Sequence, residues 1–201
     1  MRENEFWFSI GSTYTYLTVK RLPEIEKKNN IKFIWKPFSV RAIMIEMENV
    51  PFTPLPKKNK SDYMWRDIQR RAKFYGFDAN VPAPYPLSEF DLANQIAVLG
   101  MNEKWFNDYV IITYNRWFME GLEPAIQPNL SQILNKIGLN EKEIIEKAKS
   151  DEIKKLYDDL TNEAKSKKIF GSPTFIIGNE VFWGDDRLED AIKWINLDKN
   201  I

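Results

Sequence analysis

The stretch FWFSIGSTYTYL, residues 6–17, contains the pattern that decides the fold. Its first five residues are mainly aromatic or β-branched and stop at Gly11-Ser12, which predicts a strand followed by a turn. A helical pattern follows, in which Pro23 predicts a kink or the start of a second helical segment. Residues 31–35 are almost continuously apolar, as expected of a buried parallel strand. The N-terminal part of the chain is therefore predicted to form a β-α-β unit.

The C-terminal part of the chain contains two further predicted strands. They are residues 174–177 and 181–183, which flank Gly178-Asn179, a signal for a tight hairpin. A final helix is predicted to begin at about Asp185, with apolar residues at helical spacing. The end of the chain is thus a β-β-α unit.

Between the two strand-containing parts the sequence predicts helices only. They are expected at residues 61–75, 88–99 (opened by a capping box of Ser88 and Asp91), 102–120, 131–137, 140–149 and 150–165. Neither group of strands could bury the faces of a sheet alone. We therefore predict one α/β domain, built from residues 1–40 and 168–201 and split by an all-helical insertion domain at residues 41–167.

The composition excludes several classes of function. The chain has 201 residues with 29 Lys and Arg against 29 Asp and Glu, and this zero net charge argues against a nucleic-acid partner. It has no cysteine and no histidine, which removes thiol nucleophiles, imidazole bases and Cys/His metal sites, and no metal is predicted. No window approaches the roughly 18 apolar residues of a membrane span, and the N-terminus lacks a signal-peptide pattern. We expect no membrane partner and predict a cytoplasmic protein.

Three local sequences follow one another in a recognisable order: residues 6–17, FGSPTF at residues 170–175 and FWGDDRL at residues 182–188. They resemble the opening strand and first helix, the cis-proline loop and the C-terminal signature of the 2-hydroxychromene-2-carboxylate isomerase and kappa-class glutathione transferase family. The resemblance spans essentially the whole chain. It implies a thioredoxin-like fold of the DsbA-like superfamily with a helical insertion, and a homodimer.

The resemblance also implies a glutathione-binding site around the first helix. Ser12 matches the family's catalytic serine, although Thr13 follows it where many members have proline. Ser172 matches the residue whose main chain pairs with the cysteinyl unit of glutathione, in a loop where the bond to Pro173 is cis. The other residues that the resemblance assigns to the site are Asp185 and Asp186 for the γ-glutamyl end, Asn49 and Lys60 for the carboxylates, and Tyr85 for the second substrate. Trp183 is a further candidate for that substrate, because its aromatic ring could line an apolar pocket.

The hydroxyl of Ser12 has a physical reason to bind an anion. Redox enzymes of the thioredoxin type have C-x-x-C at this junction, whereas residues 12–15 here are STYT and cannot exchange disulfides. A helix N-terminus at the carboxyl end of a strand favours an anion. Lowering a thiol pKa of ~8.5 by about two units takes ~2.7 kcal/mol, which a hydroxyl and a helix end can supply. By itself a serine here is also an ordinary helix N-cap.

The resemblance, together with Ser12, implies a glutathione-dependent isomerase of the 2-hydroxychromene-2-carboxylate type. Glutathione would be a cofactor, and the other partner a small unsaturated or aromatic-derived carboxylate. A kappa-class transferase or peroxidase using the same Ser12 is the first alternative. A non-catalytic thioredoxin-like module that binds a thiol or peptide is the second, because the chain has no readily ionised nucleophile.

Overall fold

Four strands form the single sheet in the part of the chain that the computed structural model describes, residues 3–49 and 57–198. They are β1 (Asn4–Phe8), β2 (Ile34–Pro37), β3 (Thr174–Ile177) and β4 (Glu180–Trp183). The strand order is β2-β1-β3-β4. β1 is parallel to β2 and antiparallel to β3, and β3 is antiparallel to β4. The mixed α/β fold is that of a thioredoxin-like domain.

Helices surround this sheet, and most of them come between β2 and β3 in the sequence. They are α1 (Thr15–Asn29), α2 (Val40–Glu46), α3 (Lys58–Phe74), α4 (Phe90–Gly100), α5 (Phe106–Glu120), α6 (Asn129–Lys136), α7 (Glu141–Ala148), α8 (Asp151–Ser166) and α9 (Leu188–Asp198), the last preceded by a 3-10 turn at Asp185–Arg187. Within the described residues, no strand interrupts the series from α2 to α8. None of these helices is both long and apolar enough to cross a membrane.

Several local predictions differ from the structure. The second strand begins at Ile34, three residues later than predicted, and α2 was missed. Helix α1 continues through Pro23 as one element, so no second helical segment begins there. The predicted capping box is wrong: the Ser88 hydroxyl donates to Glu123 at 2.7 Å, and α4 begins without a side-chain cap.

Aromatic side chains on β1 pack against both neighbouring strands. This packing fixes where the strand ends that border the candidate site lie. The Phe6 ring lies edge-on to Trp35, with 5.1 Å between the ring centroids, and stacks on Phe175, with 5.5 Å between the centroids. The three neighbouring strands therefore share one buried face. In the antiparallel pairing of β1 with β3, Trp7 is opposite Thr174. The carboxyl end of β1 therefore lies beside the loop that enters β3, although the two segments are far apart in sequence.

Candidate active site

The turn between β1 and α1 is tightly packed. β1 ends at Phe8, and the Ser12 N–H donates to the Ser9 carbonyl oxygen at 2.9 Å. Gly11 has φ +125°, and a Cβ at this position would lie 2.2 Å from Cε2 of Phe90. A side chain at residue 11 would therefore meet both backbone strain and a ring. This close packing fixes the position of Ser12, just before α1.

The Ser12 hydroxyl contacts the cis-proline loop directly. Its Oγ donates to the Ser172 carbonyl oxygen at 2.6 Å, across 160 residues of sequence. The Ser172–Pro173 peptide bond is cis, as the resemblance implied. Helix α1 begins without a side-chain cap, so the Ser12 hydroxyl does not serve as its N-cap. The structure thus joins two of the predicted site residues by one short hydrogen bond.

A small cluster of hydroxyl groups lies behind Ser12. The Ser172 hydroxyl accepts from the Ser9 N–H at 3.0 Å and lies 2.9 Å from Oγ1 of Thr15. Ser12 and Thr15 occupy the two positions that hold sulfur in a C-x-x-C motif. Two hydroxyl groups therefore stand where the resemblance places the two thiols of a C-x-x-C motif.

A cleft of about 310 Å³ opens beside this loop. Five of the predicted site residues line it: Ser172, Pro173, Trp183, Asp185 and Asp186. It is completed by Gly184 and by four side chains that the sequence did not assign to the site, namely Tyr14, Tyr63, Asp67 and Arg71. Ser12 is not among the lining residues, but its hydrogen-bond partner Ser172 is.

The charges of the cleft surround one guanidinium. Arg71 lies 3.4 Å from Asp67, 4.0 Å from Asp185 and 3.6 Å from Asp186. Each of these carboxylates also has a second arginine partner that does not line the cleft: Arg70 for Asp67, Arg21 for Asp185 and Arg187 for Asp186. The phenol of Tyr14 donates to Asp67 at 3.1 Å, and burial together with that carboxylate raises the tyrosine pKa, so Tyr14 stays a neutral donor. The mixture of carboxylates and a guanidinium suits a zwitterionic ligand group.

The two adjacent aspartates have different surroundings. Asp185 is only 2% exposed and accepts hydrogen bonds from Thr18, Arg21 and Tyr75 at 2.9, 2.9 and 3.1 Å. Burial raises the pKa of Asp185, against the opposing effect of Arg21. The Asp186 side chain is 42% exposed and faces the cleft. Asp186 accepts from Arg187 at 2.9 Å and lies 3.6 Å from Arg71, but its exposure leaves it within reach of a ligand, whereas Asp185 is enclosed by its three partners.

Trp183 and Gly184 form the wall of the cleft that comes from β4. The Gly184 N–H donates to the Pro173 carbonyl oxygen at 2.9 Å, which ties this wall to the cis-proline loop. The Trp183 indole is 52% exposed and covers Gly171, where an added Cβ would lie 2.2 Å from Nε1. Phe170 packs edge-on against Trp183 at 4.8 Å. The rim of the cleft is therefore aromatic and accessible.

Besides Ser12, three predicted site residues do not line this cleft. Asn49 lies just after α2, and its N–H donates to the Met44 carbonyl oxygen at 2.8 Å. Lys60 is exposed in the first turn of α3. Tyr85 is half-buried and packs against Trp65 at 6.1 Å. Their roles remain predictions.

The residues missed by the sequence come mainly from α3. Tyr63, Asp67 and Arg71 are spaced by four residues, so they share one side of that helix. This spacing was the available signal, but nothing in it indicated that the side faces the cis-proline loop. A larger groove of about 900 Å³ lies between the end of α1, the start of β2 and residues 101–107, and it contains none of the predicted residues. It also lies away from the carboxyl ends of β1 and β2, where open α/β sheets bind ligands.

Comparisons with known proteins agree with this architecture. A model of the DSBA-like thioredoxin domain family matches residues 5–194. The 2-hydroxychromene-2-carboxylate isomerase of Pseudomonas putida is 27% identical over 184 residues, covering 92% of this chain and 89% of the relative. Glutathione S-transferase kappa 2 of Caenorhabditis elegans is 20% identical over 204 residues, covering 95% and 90%. A solved structure of 2-hydroxychromene-2-carboxylate isomerase superposes with a TM-score of 0.85 at 26% identity, covering 98% of this chain and 97% of that one.

Proposed function

Because the chain belongs to the DSBA-like thioredoxin domain family, we propose that it is an enzyme of that fold in which glutathione-dependent isomerisation takes the place of disulfide exchange by the protein's own cysteines. Its substrate would be an unsaturated, aromatic-derived carboxylate. The names of the relatives support this reaction class. The observation that carries the proposal is the hydrogen bond from Ser12 to the Ser172 carbonyl, which brings a hydroxyl and a helix N-terminus to the cis-proline loop.

The residues of the cleft fit a tripeptide thiol. The volume of the cleft, about 310 Å³, lies at the lower end of the range for small-ligand sites. Asp186 offers an exposed carboxylate for the γ-glutamyl ammonium, and Arg71 beside it offers a cation for the neighbouring carboxylate. The main chain of Ser172 can pair with the cysteinyl unit as a short added strand would. We propose Asp186, rather than Asp185, as the partner of the amine.

Bound glutathione would supply a nucleophilic thiolate that is regenerated in each turnover, so that it is not consumed. Ser12 would donate its hydroxyl hydrogen to the sulfur and give up its bond to Ser172. The dipole of α1 would add to this stabilisation; the N–H groups of Tyr16 and Leu17 already donate to the Thr13 and Tyr14 carbonyl oxygens. Trp183 and Tyr85 would position the second substrate beside the sulfur.

A comparison of two ligands tests the proposal. Glutathione should raise the melting temperature of the protein more than S-methylglutathione, which lacks the S–H and cannot form a thiolate. It should also support conversion of 2-hydroxychromene-2-carboxylate to its isomer without net loss of thiol. Equal stabilisation by both ligands with no turnover would indicate a passive binding module and contradict the proposal.

A transferase or peroxidase is the second candidate, and the kappa-class relative favours it. It would use the same Ser12 and the same cleft. The two reactions differ in the fate of the thiol: an isomerase returns it, whereas a transferase incorporates it into the product and a peroxidase oxidises it. Quantifying free glutathione during turnover separates them. Either activity suits a reducing compartment such as the cytoplasm.

A further inference from the structure

Two buried side chains, one from α4 and one from α5, hold the turn that carries Ser12. Asn94 belongs to α4 and Tyr114 to α5, and both are 0% exposed. Each forms hydrogen bonds with the main chain of residues 9–12. Neither lines the cleft, so ligand binding does not account for them.

The side chain of Asn94 forms the hydrogen bonds that the main chain of Ile10 would otherwise make with a neighbouring strand. Its Oδ1 accepts from the Ile10 N–H at 2.8 Å, and its Nδ2 donates to the Ile10 carbonyl oxygen at 2.8 Å. The pairing of β1 with its neighbours ends at Phe8, and buried backbone groups beyond that point need other partners. A carboxamide offers a donor and an acceptor side by side. Asn94 therefore fixes Ile10 as a neighbouring strand would.

Tyr114 connects the two ends of the same turn. Its hydroxyl donates to the Ser9 carbonyl oxygen at 2.8 Å and lies 3.3 Å from the Ser12 carbonyl oxygen. The Ser9 carbonyl oxygen also accepts from the Ser12 N–H. Burial raises the pKa of Tyr114 well above its ordinary value, so the phenol remains a neutral donor. The position of Ser12 thus depends on where α5 holds this ring.

We propose that Tyr114 and Asn94 are positioning residues that direct the Ser12 hydroxyl and the start of α1 toward a bound thiol. This inference rests on the proposed function. A hydrogen bond stabilises a developing charge only when its donor is held in place by the surrounding structure. A turn released from α5 would shift Ser12 and the first N–H groups of α1 together. The bound thiol would then ionise at a higher pH in a protein that still folds.

The tyrosine test uses a matched control on the same helix. Tyr109 is also 0% exposed and donates to the Ala93 carbonyl oxygen at 3.0 Å, away from the turn. Each complex with glutathione is titrated by following the ultraviolet absorbance of the thiolate. Tyr114→Phe should raise the midpoint by about one pH unit, a tenfold change in the ionisation constant. Tyr109→Phe should leave it at the wild-type value while losing similar thermal stability.

Asn94→Ala should shift the midpoint in the same direction. Its control is Asn129→Ala, because Asn129 is 3% exposed and its Nδ2 donates to the Glu123 carbonyl oxygen at 3.0 Å, in another part of the helical block. Should Asn94→Ala not fold, the tyrosine pair decides alone. Equal midpoints for Tyr114→Phe, Tyr109→Phe and the wild type would overturn the inference and leave the proposed function intact. A wild-type protein that does not ionise the thiol would overturn both.

Discussion

At the scale of single residues, the account depends on how one hydroxyl group is used. A serine at the start of a helix is commonly an N-cap, but the Ser12 hydroxyl donates to the Ser172 carbonyl and does not cap α1. The helical N-cap role does occur in this chain at Ser150, which accepts from the Ile153 N–H at the start of α8. The two serines therefore provide a direct comparison between a proposed catalytic role and a structural one.

Ser12→Ala should reduce turnover by ~10²-fold or more, as expected when one charge-stabilising donor is lost, with a modest change in glutathione affinity. Ser150→Ala should leave turnover unchanged and lower the free energy of unfolding by about 1 kcal/mol. Steady-state kinetics and denaturant unfolding of both variants check this. Wild-type turnover in Ser12→Ala would remove the serine from the mechanism.

Asp186→Asn should weaken glutathione binding by about tenfold, through loss of a charge-assisted hydrogen bond to the ammonium. The unfolding free energy should change little, because the Asp186 side chain is 42% exposed. Asp185→Asn should instead destabilise the fold, because it disrupts a buried pair with Arg21. Calorimetric binding and thermal unfolding distinguish the two aspartates. A larger loss of affinity in a stably folded Asp185→Asn would reverse the assignment.

At the scale of secondary-structure elements, a buried charge cluster joins β1, β2 and the end of α8. Glu5 is 4% exposed and accepts from Trp7 at 2.8 Å and from Lys167 at 2.6 and 2.7 Å, with Lys36 at 3.2 Å. Burial alone would raise the pKa of Glu5, but Lys167, Trp7 and Lys36 outweigh it and hold the pKa below its usual 4.5. The ionised carboxylate therefore stabilises this junction.

The sign of the Glu5 shift predicts a pH dependence of stability. A lowered carboxylate pKa contributes stability above the unfolded-state value, and that contribution is lost as the pH falls through the folded-state pKa. Glu5→Gln should cost roughly 1–3 kcal/mol of unfolding free energy at neutral pH, and the difference from wild type should shrink below pH 4.5. Glu46→Gln, at a surface pair with Lys165, should cost under about 1 kcal/mol. A Glu5→Gln deficit that grows on acidification would contradict the sign.

The elements also show what sequence patterns can and cannot predict. β3 was predicted with its observed bounds, because the apolar run at Thr174–Ile177 is delimited by Pro173 and Gly178. The seven-residue α2 was missed, since it spans too few turns for a clear periodicity. The family resemblance assigned Ser172 and Asp186 to the candidate site, and both line the cleft. The contribution of Arg71 depends on the packing of α3 against α1, which no local pattern encodes.

At the scale of the whole molecule, we propose a homodimer, as the resemblance implies. Several large apolar side chains remain exposed on the single chain, among them Phe74 at 83% and Leu197 at 59%. A dimer interface would cover side chains of this kind. Sedimentation at micromolar concentration should show a species of twice the 23.8 kDa chain mass. A monomer under these conditions would remove the dimer from the account.

The most direct measurement is a crystal structure of the protein grown with glutathione. The account predicts the tripeptide in the cleft between Ser172, Asp186 and Arg71, with its sulfur within hydrogen-bonding distance of the Ser12 Oγ. It also predicts that the Ser12 hydroxyl has turned from the Ser172 carbonyl toward that sulfur. Glutathione bound elsewhere, for example in the larger groove beside β2, or a sulfur beyond the reach of Ser12, would contradict the central claim.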